Sequence, residues 1–555
     1  MKRTALLAAL GTLLIYANYA SRQPYPGFVR LKFEIHDEEG RPAGARLRVT
    51  NAAGEYFAPL GHLPKPDMTQ KSSNDLILGD GESTPLTLYA LVHDGAEIDL
   101  RPGKYHIEAT RGYEVQSLRQ ELSISESTPS GQTVALPLHK FIDFESKGWY
   151  PGDTHIHFPD PSGVRYEMEC EGLRVCSILL LKNGYKDGRP GDGNFWNVEH
   201  FTGRLSPVSD SRYFVKVGEE FRHGLLAHLI FQNLKSIVWP VSTGGLRENG
   251  AGGYDWPLML HASDEAHAQG ALVTWAHWPY PSLEAPLDIA LGRIDSIDLL
   301  TTGNPFEHHP ILVDVYKMRG PKVYSLAPVD VYYHYLNCGF HLAMSSGSDK
   351  MALNPPLGSA RTYVRTDAPL TYDSWIEGIR KGHTFATNYP LVEFSVNGVG
   401  PGDTVKLQPG KVRLAVKASA LSLEPYDVLE IVYNGKVIRS VKPSGNRYAV
   451  ALDESIELDR GGWIAARAHG RKMLPYGATW WQMPVFAHTS PIYLDMPGRP
   501  ALAAESARLF LDQLDYLERW ADQANFPIEA NRRETLDLVR QAREIYQRLT
   551  HEEAL

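Results

Sequence analysis

The sequence predicts a multidomain chain of mixed α/β and all-β character: a central β/α barrel flanked by two β-sandwiches, with a helical hairpin at the C-terminal end. Three observations predict it. Apolar and polar residues alternate in short runs over residues 25–144 and again over 389–494. Between them, residues 145–388 carry continuous apolar runs of strand length separated by helical stretches. Over residues 500–555 the apolar spacing becomes that of a helix. At 555 residues the chain is also too long for one ordinary core.

Residues 1–22 read as an export signal. Met1-Lys2-Arg3 is a basic start, Thr4 to Tyr16 is apolar and uncharged, and small residues follow at Ala17 and Ala20. The apolar stretch is shorter than the ~20 residues that span a bilayer. Asn18 makes the cleavage site imperfect, so an uncleaved anchor is the alternative and the only membrane attachment expected. The expected location is periplasmic or secreted.

In the first β region, Val29 to Ile35 alternates strictly, as a half-buried strand does. Asp37 to Gly40 is a turn, Arg46 to Val49 alternates again, and Thr133 to Leu138 closes the region. Short strands with frequent turns predict a sandwich. The stretch Pro102 to Glu114 resembles small transthyretin-like or carboxypeptidase-regulatory-like sandwiches.

In the central region, Val175 to Leu181, Tyr213 to Val217, Leu272 to Ala276, Ile297 to Leu300 and Leu342 to Ser345 read as buried strands. Helices are expected at Leu258 to Gln269 and Val329 to Asn337. That alternation predicts a parallel sheet or barrel. Beyond it, Val392 to Gly398 and Lys411 to Ala418 alternate, and Asn434-Gly435 joins Leu429 to Tyr433 with Lys436 to Ile438 as a hairpin. Leu509, Leu511, Leu514, Leu517 and Trp520 recur at helical spacing, and a second helix runs from Arg532 to about Leu549.

Composition narrows the class. Hydrophobic residues at 43% and charged residues at 22% are those of a globular protein. The net charge of -9 argues against a broad nucleic-acid surface, and no nucleic-acid partner is expected. An odd set of cysteines, Cys170, Cys176 and Cys338, argues against a disulfide scaffold. A Cys170–Cys176 bridge and two buried thiols both remain open.

The sharpest segment is Gly148 to His157, which ends in Asp153-Thr154-His155-Ile156-His157. Residues i and i+2 of a strand point to one side, so His155 and His157 aim two imidazoles at one point. Neutral imidazole ligates zinc, and iron or manganese in mixed sites. Later strand ends supply Glu219-Glu220, followed by His223 and His228, then His277, then Asp349. Chemistry in β/α barrels sits at such strand ends. The pattern predicts a bound divalent metal.

These residues resemble the polymerase-and-histidinol-phosphatase (PHP) superfamily, and more narrowly the carbaryl-hydrolase-like (CehA/McbA-type) metallohydrolases. The runs Gly-Asp-Thr-His-Ile-His, Gly-Glu-Glu with His228, His277, and Gly-Ser-Asp carry the resemblance, which covers about Gly148 to Gly402. Leu357 to Val364 and Ile379 to Asn388 add to it. The resemblance implies a distorted seven-stranded β/α barrel binding two or three divalent metals, a number that departures from the family pattern lower to one or two. It implies His155, His157, Glu220, His228, His277 and Asp349 as ligands, with Glu219 as the fallback for Glu220. Two departures stand out. Leu181-Lys182-Asn183-Gly184 replaces an expected Asp-His pair, and Lys350-Met351 follows Asp349 where a His is usual.

The implied activity is hydrolysis of an ester-type bond, a carbamate or carboxylic ester or a phosphoester, in a small-molecule or glycan substrate. The alternative is a non-catalytic glycan- or anion-binding protein of the cell envelope with a degenerate metal site. Lys182 is expected to supply charge in place of a missing metal, and His223 to shuttle protons or to act as a ligand. Asp153 is expected to orient an imidazole. Asn194 and Trp196, in the segment Tyr185 to Asn197, are expected to face substrate.

Overall fold

A computed structural model describes residues 24–66, 75–78, 85–186, 189–244, 253–279, 281–301, 303–307, 321–443, 445, 448–474 and 483–551, without side chains over 183–194. The expected export signal lies outside the described residues.

The first region is all strand: β1 (Val29–His36), β2 (Ala45–Asn51), β3 (Asp75–Leu78), β4 (Thr87–Val92), β5 (Gly95–Leu100), β6 (Gly103–Thr110), β7 (Leu118–Ile124) and β8 (Gln132–Pro137). They form two sheets, ordered β5-β1-β8 and β3-β4-β2-β6-β7. Strict alternation puts Leu31, Phe33 and Ile35 of the first sheet in one core with Leu47, Val49 and Ile107 of the second.

The central region holds β9 (Trp149–Ile156), α1 (Pro161–Glu171), β10 (Val175–Lys186), β11 (Arg189–Trp196), β12 (Phe214–His223), β13 (Ala227–Gln232), α2 (Met259–Ala268), β14 (Leu272–Trp275), α3 (Ala285–Ala290), β15 (Ser296–Asp298), α4 (Pro328–Asn337), β16 (Ala343–Ser345), β17 (Arg361–Arg365), α5 (Tyr372–Arg380) and β18 (Thr384–Thr387). Asp160 starts α1 by accepting from the Ser162 and Gly163 amides, with Pro161 as its first helical residue. The strand order is β16-β15-β14-β13-β12-β10-β9-β17-β18. The sheet is mixed where the sequence predicts a parallel one. β13 runs antiparallel to both β12 and β14, and residues 224–226 are too few for the crossover that a parallel β12–β13 pair requires. The sheet curls like half a barrel. Thr362 Oγ1 in β17 both accepts from the Ser346 amide and donates to the Ser346 carbonyl, each at 2.8 Å, just past β16.

The third region comprises β19 (Leu391–Val396), β20 (Thr404–Lys406), β21 (Val412–Leu421), β22 (Val428–Tyr433), β23 (Lys436–Val441), β24 (Ala449–Leu458), β25 (Gly462–Leu474), β26 (Met483–Thr489) and β27 (Ile492–Asp495). β19-β21-β24 is a separate sheet. β26, β25, β22 and β23 instead continue the central sheet through β18–β26 pairing. The helices α6 (Ala504–Ala521) and α7 (Glu529–His551) pack on α3 and α4. Phe510 stacks on Tyr335 at 3.8 Å, and the Tyr546 hydroxyl donates to the Pro286 carbonyl at 3.0 Å. All three cysteines are buried free thiols. No helix among the described residues is long and apolar enough to cross a membrane.

Candidate metal centre

Strand parity builds the site. His155 and the residue just past β9, His157, turn their rings to one side, with their Nε2 atoms 3.0 Å apart. On β12, Glu220 and Arg222 share a face, and Arg222 is the cross-strand partner of His228 on β13. His277 follows β14, and Asp349 lies beyond β16. Both have positive φ, 31° and 51°. A left-handed backbone at non-glycine residues costs energy and clusters at functional sites.

These side chains converge. Asp349 Oδ1 lies 3.4 Å from His155 Nε2 and 3.2 Å from His157 Nε2. Glu220 Oε1 lies 3.1 Å from His228 Nδ1 and 3.4 Å from His277 Nε2, and its Oε2 lies 3.5 Å from His157 Nε2. His228 Nδ1 and His277 Nε2 are 3.0 Å apart. Two overlapping sets, His155–Glu220–His277 and His155–His157–Asp349, each keep their ligand atoms within 4.8 Å of one another.

The donor set fits a divalent cation. Two ligands about 2.1 Å from a tetrahedral ion stand about 3.4 Å apart, which is the spacing seen here. Glu220 Oε1 and Asp349 Oδ1 are buried without a hydrogen-bond donor, and such orphaned carboxylate oxygens are costly unless a cation meets them. Imidazole nitrogens facing each other at 3.0 Å point the same way.

The electrostatics follow. Burial works to lower the His155 imidazole, but the carboxylates of Asp349, Asp298 and Glu220 outweigh it and raise it to about 9. Burial, then the nearby Arg222 cation, pushes His228 down to about 3. Burial alone would raise Glu220. Arg222 and the surrounding imidazoles instead hold it well below the usual carboxylate range.

Asp298, at the end of β15, was not singled out from the sequence. Its Oδ2 lies 3.1 Å from His155 Nδ1, while its Oδ1 accepts from Ser346 Oγ at 2.9 Å and the Gly347 amide at 3.2 Å. It therefore orients the imidazole, the role expected of Asp153. Asp153 instead holds backbone. Its carboxylate accepts from the amides of His155 (3.0 Å), Ser348 (2.9 Å) and Gly358 (2.7 Å), and from the Ser348 hydroxyl. Burial is the main reason its pKa rises to about 6. Gly347 is required by closeness: a Cβ there would stand 2.5 Å from His155 Cβ and 2.8 Å from Asp153 Oδ1.

Two expected residues act elsewhere. His223 has the parity of Glu219, not Glu220. Its Nδ1 accepts from the Leu225 and Leu226 amides, and its Nε2 faces Asp255 Oδ1 at 3.2 Å. With both nitrogens committed, it is a brace and not a proton shuttle. Lys182 also falls on the other parity, since Leu180 pairs with Glu219 and Lys182 with Phe195. Its ammonium lies over the Phe195 ring at 5.4 Å, so no contact places its charge in the ligand set. Trp196 packs edge-on to Phe158 at 4.8 Å, and Phe158 in turn lies 6.0 Å from the His157 ring. Asn194 pairs through its backbone with Asn183, and its side chain lies outside the described set. Lys350 is turned away to Glu167 at 3.1 Å and the Pro355 carbonyl at 3.1 Å. Glu219 is buried on the opposite face, accepting from the Val238 amide at 2.9 Å.

No protein-family model matches the chain. A search of curated proteins likewise finds no match.

Proposed function

We propose that this chain is an exported metal-dependent hydrolase acting on an ester-type bond in a small-molecule or glycan substrate. It would carry one or two divalent ions (zinc, manganese or iron) in a distorted seven-stranded barrel of the PHP, CehA/McbA-like kind. One observation carries the reading: six imidazole and carboxylate side chains, from chain positions 155 to 349, meet in one cluster with two orphaned carboxylate oxygens. His155, His157, Glu220, His277 and Asp349 would hold the ions, with His228 against Glu220 and His277. A bound ion acidifies water toward neutrality and polarises a carbonyl or phosphoryl oxygen.

The protein's own residues prepare that chemistry. Asp298 keeps the proton of His155 on Nδ1, so that Nε2 presents its lone pair. Asp153 locks the turn 347–348 against the backbone of His155, fixing Asp349 beside His157. Phe158 stands beside the His157 ring, and Trp196 packs edge-on against Phe158.

The test is elemental analysis of wild type beside a His155→Ala/His157→Ala variant, with assays on p-nitrophenyl phosphate and aryl ester panels. Stoichiometric metal in wild type, lost with turnover in the variant, is the expected result. Metal-free wild type refutes the reading. Metal with tight glycan or anion binding and no turnover selects a non-catalytic envelope protein instead.

A further inference from the structure

Arg222 lies outside every ligand role described above, yet it stands beside the ligands. Its Nε is 3.6 Å from Glu220 Oε2 and 3.5 Å from His228 Nε2. That same Glu220 oxygen is 3.5 Å from His157 Nε2. The Arg222 backbone is pinned on both sides, its amide to the Val241 carbonyl at 3.1 Å and its carbonyl to the Thr243 amide at 3.0 Å. The Arg222 side chain is 22% exposed while Glu220 is 2% exposed. The guanidinium thus reaches from the buried ligand set toward solvent.

How the fork is used sets Arg222 apart. Arg174 commits both Nε and Nη2 to Glu145, and Arg467 directs Nε and Nη2 to Glu430. Arg222 directs only Nε into its cluster, and among the described residues neither Nη makes a hydrogen bond. A planar guanidinium with two uncommitted N–H edges matches the paired oxygens of a phosphoryl or carboxylate group. When Glu220 turns its charge to a cation, Arg222 loses its only neutralising carboxylate within salt-bridge distance among the described residues.

We propose that Arg222 is the specificity-determining residue of the site. Its Nη atoms grip an oxyanion of the substrate, so that anionic esters are preferred to neutral ones. The proposal rests on the hydrolase reading and adds the charge of the substrate to it.

The probe is inorganic phosphate, titrated by calorimetry into metal-loaded wild type, Arg222→Ala and Arg222→Lys, with metal content measured in each. Arg222→Ala is expected to weaken phosphate about 10- to 100-fold, with Arg222→Lys in between, at wild-type metal content. The ratio of kcat/KM for p-nitrophenyl phosphate over p-nitrophenyl acetate should fall by a similar factor, mainly through KM. Phosphate affinity within about twofold of wild type in both variants overturns the proposal. So does a parallel fall of both substrates together with metal content, which would mean that Arg222 only props Glu220 and His228. If Arg222→Ala does not fold, Arg222→Lys decides, since it keeps the charge and lacks the fork. Metal-free wild type defeats the hydrolase reading; phosphate titrated into that metal-free protein then tests the Arg222 oxyanion grip by itself, and equal affinity in Arg222→Ala overturns it.

Discussion

Replacing Asp298 by Asn tests the centre without touching a ligand. The two side chains have the same shape. In Asp298→Asn the remaining carboxamide oxygen can still accept from Ser346 Oγ and the Gly347 amide, which donate to Asp298 at 2.9 and 3.2 Å. What changes is the atom facing His155 Nδ1 at 3.1 Å, where a carboxylate oxygen becomes an NH2 donor. His155 Nδ1 must then accept, its proton moves to Nε2, and the nitrogen that faces His157 and Asp349 loses its lone pair. Outer partners of this kind are worth about 10- to 100-fold in metal affinity, or about 1.4–2.8 kcal/mol. The inverted tautomer places Asp298→Asn at the upper end. The assay is competition with a chelator of known affinity, with circular dichroism to show the fold intact. Unchanged affinity and full metal content in Asp298→Asn would refute the claim that His155 Nε2 is a ligand.

Three other outcomes follow from the same coordinates. Metal affinity should depend on pH: the metal-free His155 holds its proton up to about 9 and must lose it to ligate, so affinity falls by up to about tenfold per unit as pH drops below that value. His228, held near 3, adds nothing to this above neutrality, and chelator competition at a series of pH values between neutrality and that of His155 reads the slope. Gly347→Ala should abolish metal uptake though glycine ligates nothing, because its Cβ would lie 2.5 Å from the His155 backbone nitrogen; elemental analysis checks it. Arg46→Ala should destabilise the protein by about 3 kcal/mol, read as a lower denaturant midpoint, because it strips both Arg46 hydrogen bonds from the fully buried Glu171 and leaves it, among the described residues, only the Arg361 Nη2 cation at 4.0 Å.

The fold was legible wherever periodicity was unambiguous. Val29 to Ile35 alternates, and β1 spans Val29–His36 with those apolar residues inward. The Asn434-Gly435 turn sits between β22 and β23 as its chemistry dictates. β13 was not legible, because Ala227–Gln232 is a short apolar run that periodicity cannot distinguish from a buried helical turn. Missing it hid the antiparallel insertion in the sheet. The continuation of the central sheet into the third region was hidden too. Strand pairing between β18 and β26 joins residues about a hundred positions apart, and no local pattern encodes it.

The site divides along the same line. His155 and His157 were readable because both lie within one strand's period of two, where sequence spacing fixes direction. His223 and Lys182 stand just past apolar strand runs, where barrel chemistry sits, yet on the opposite face. Each sits an odd number of residues from the inward face, and a shift of one residue reverses a strand side chain. β12 runs to His223, six residues past the apolar stretch that marks it. That extension carries Glu220 and Arg222 inward and sends Glu219 and His223 outward. Asp298 escaped notice because it stands in the run Ile297 to Leu300, read as continuous apolar strand. A lone carboxylate inside a buried strand was the available signal. Such a group needs a partner, and the histidine pair, brought near only by the curl of the sheet, was the chemistry that could supply one. The clustered residues were thus visible as residue types, while their orientation depended on parity and curl that only the assembled sheet supplies.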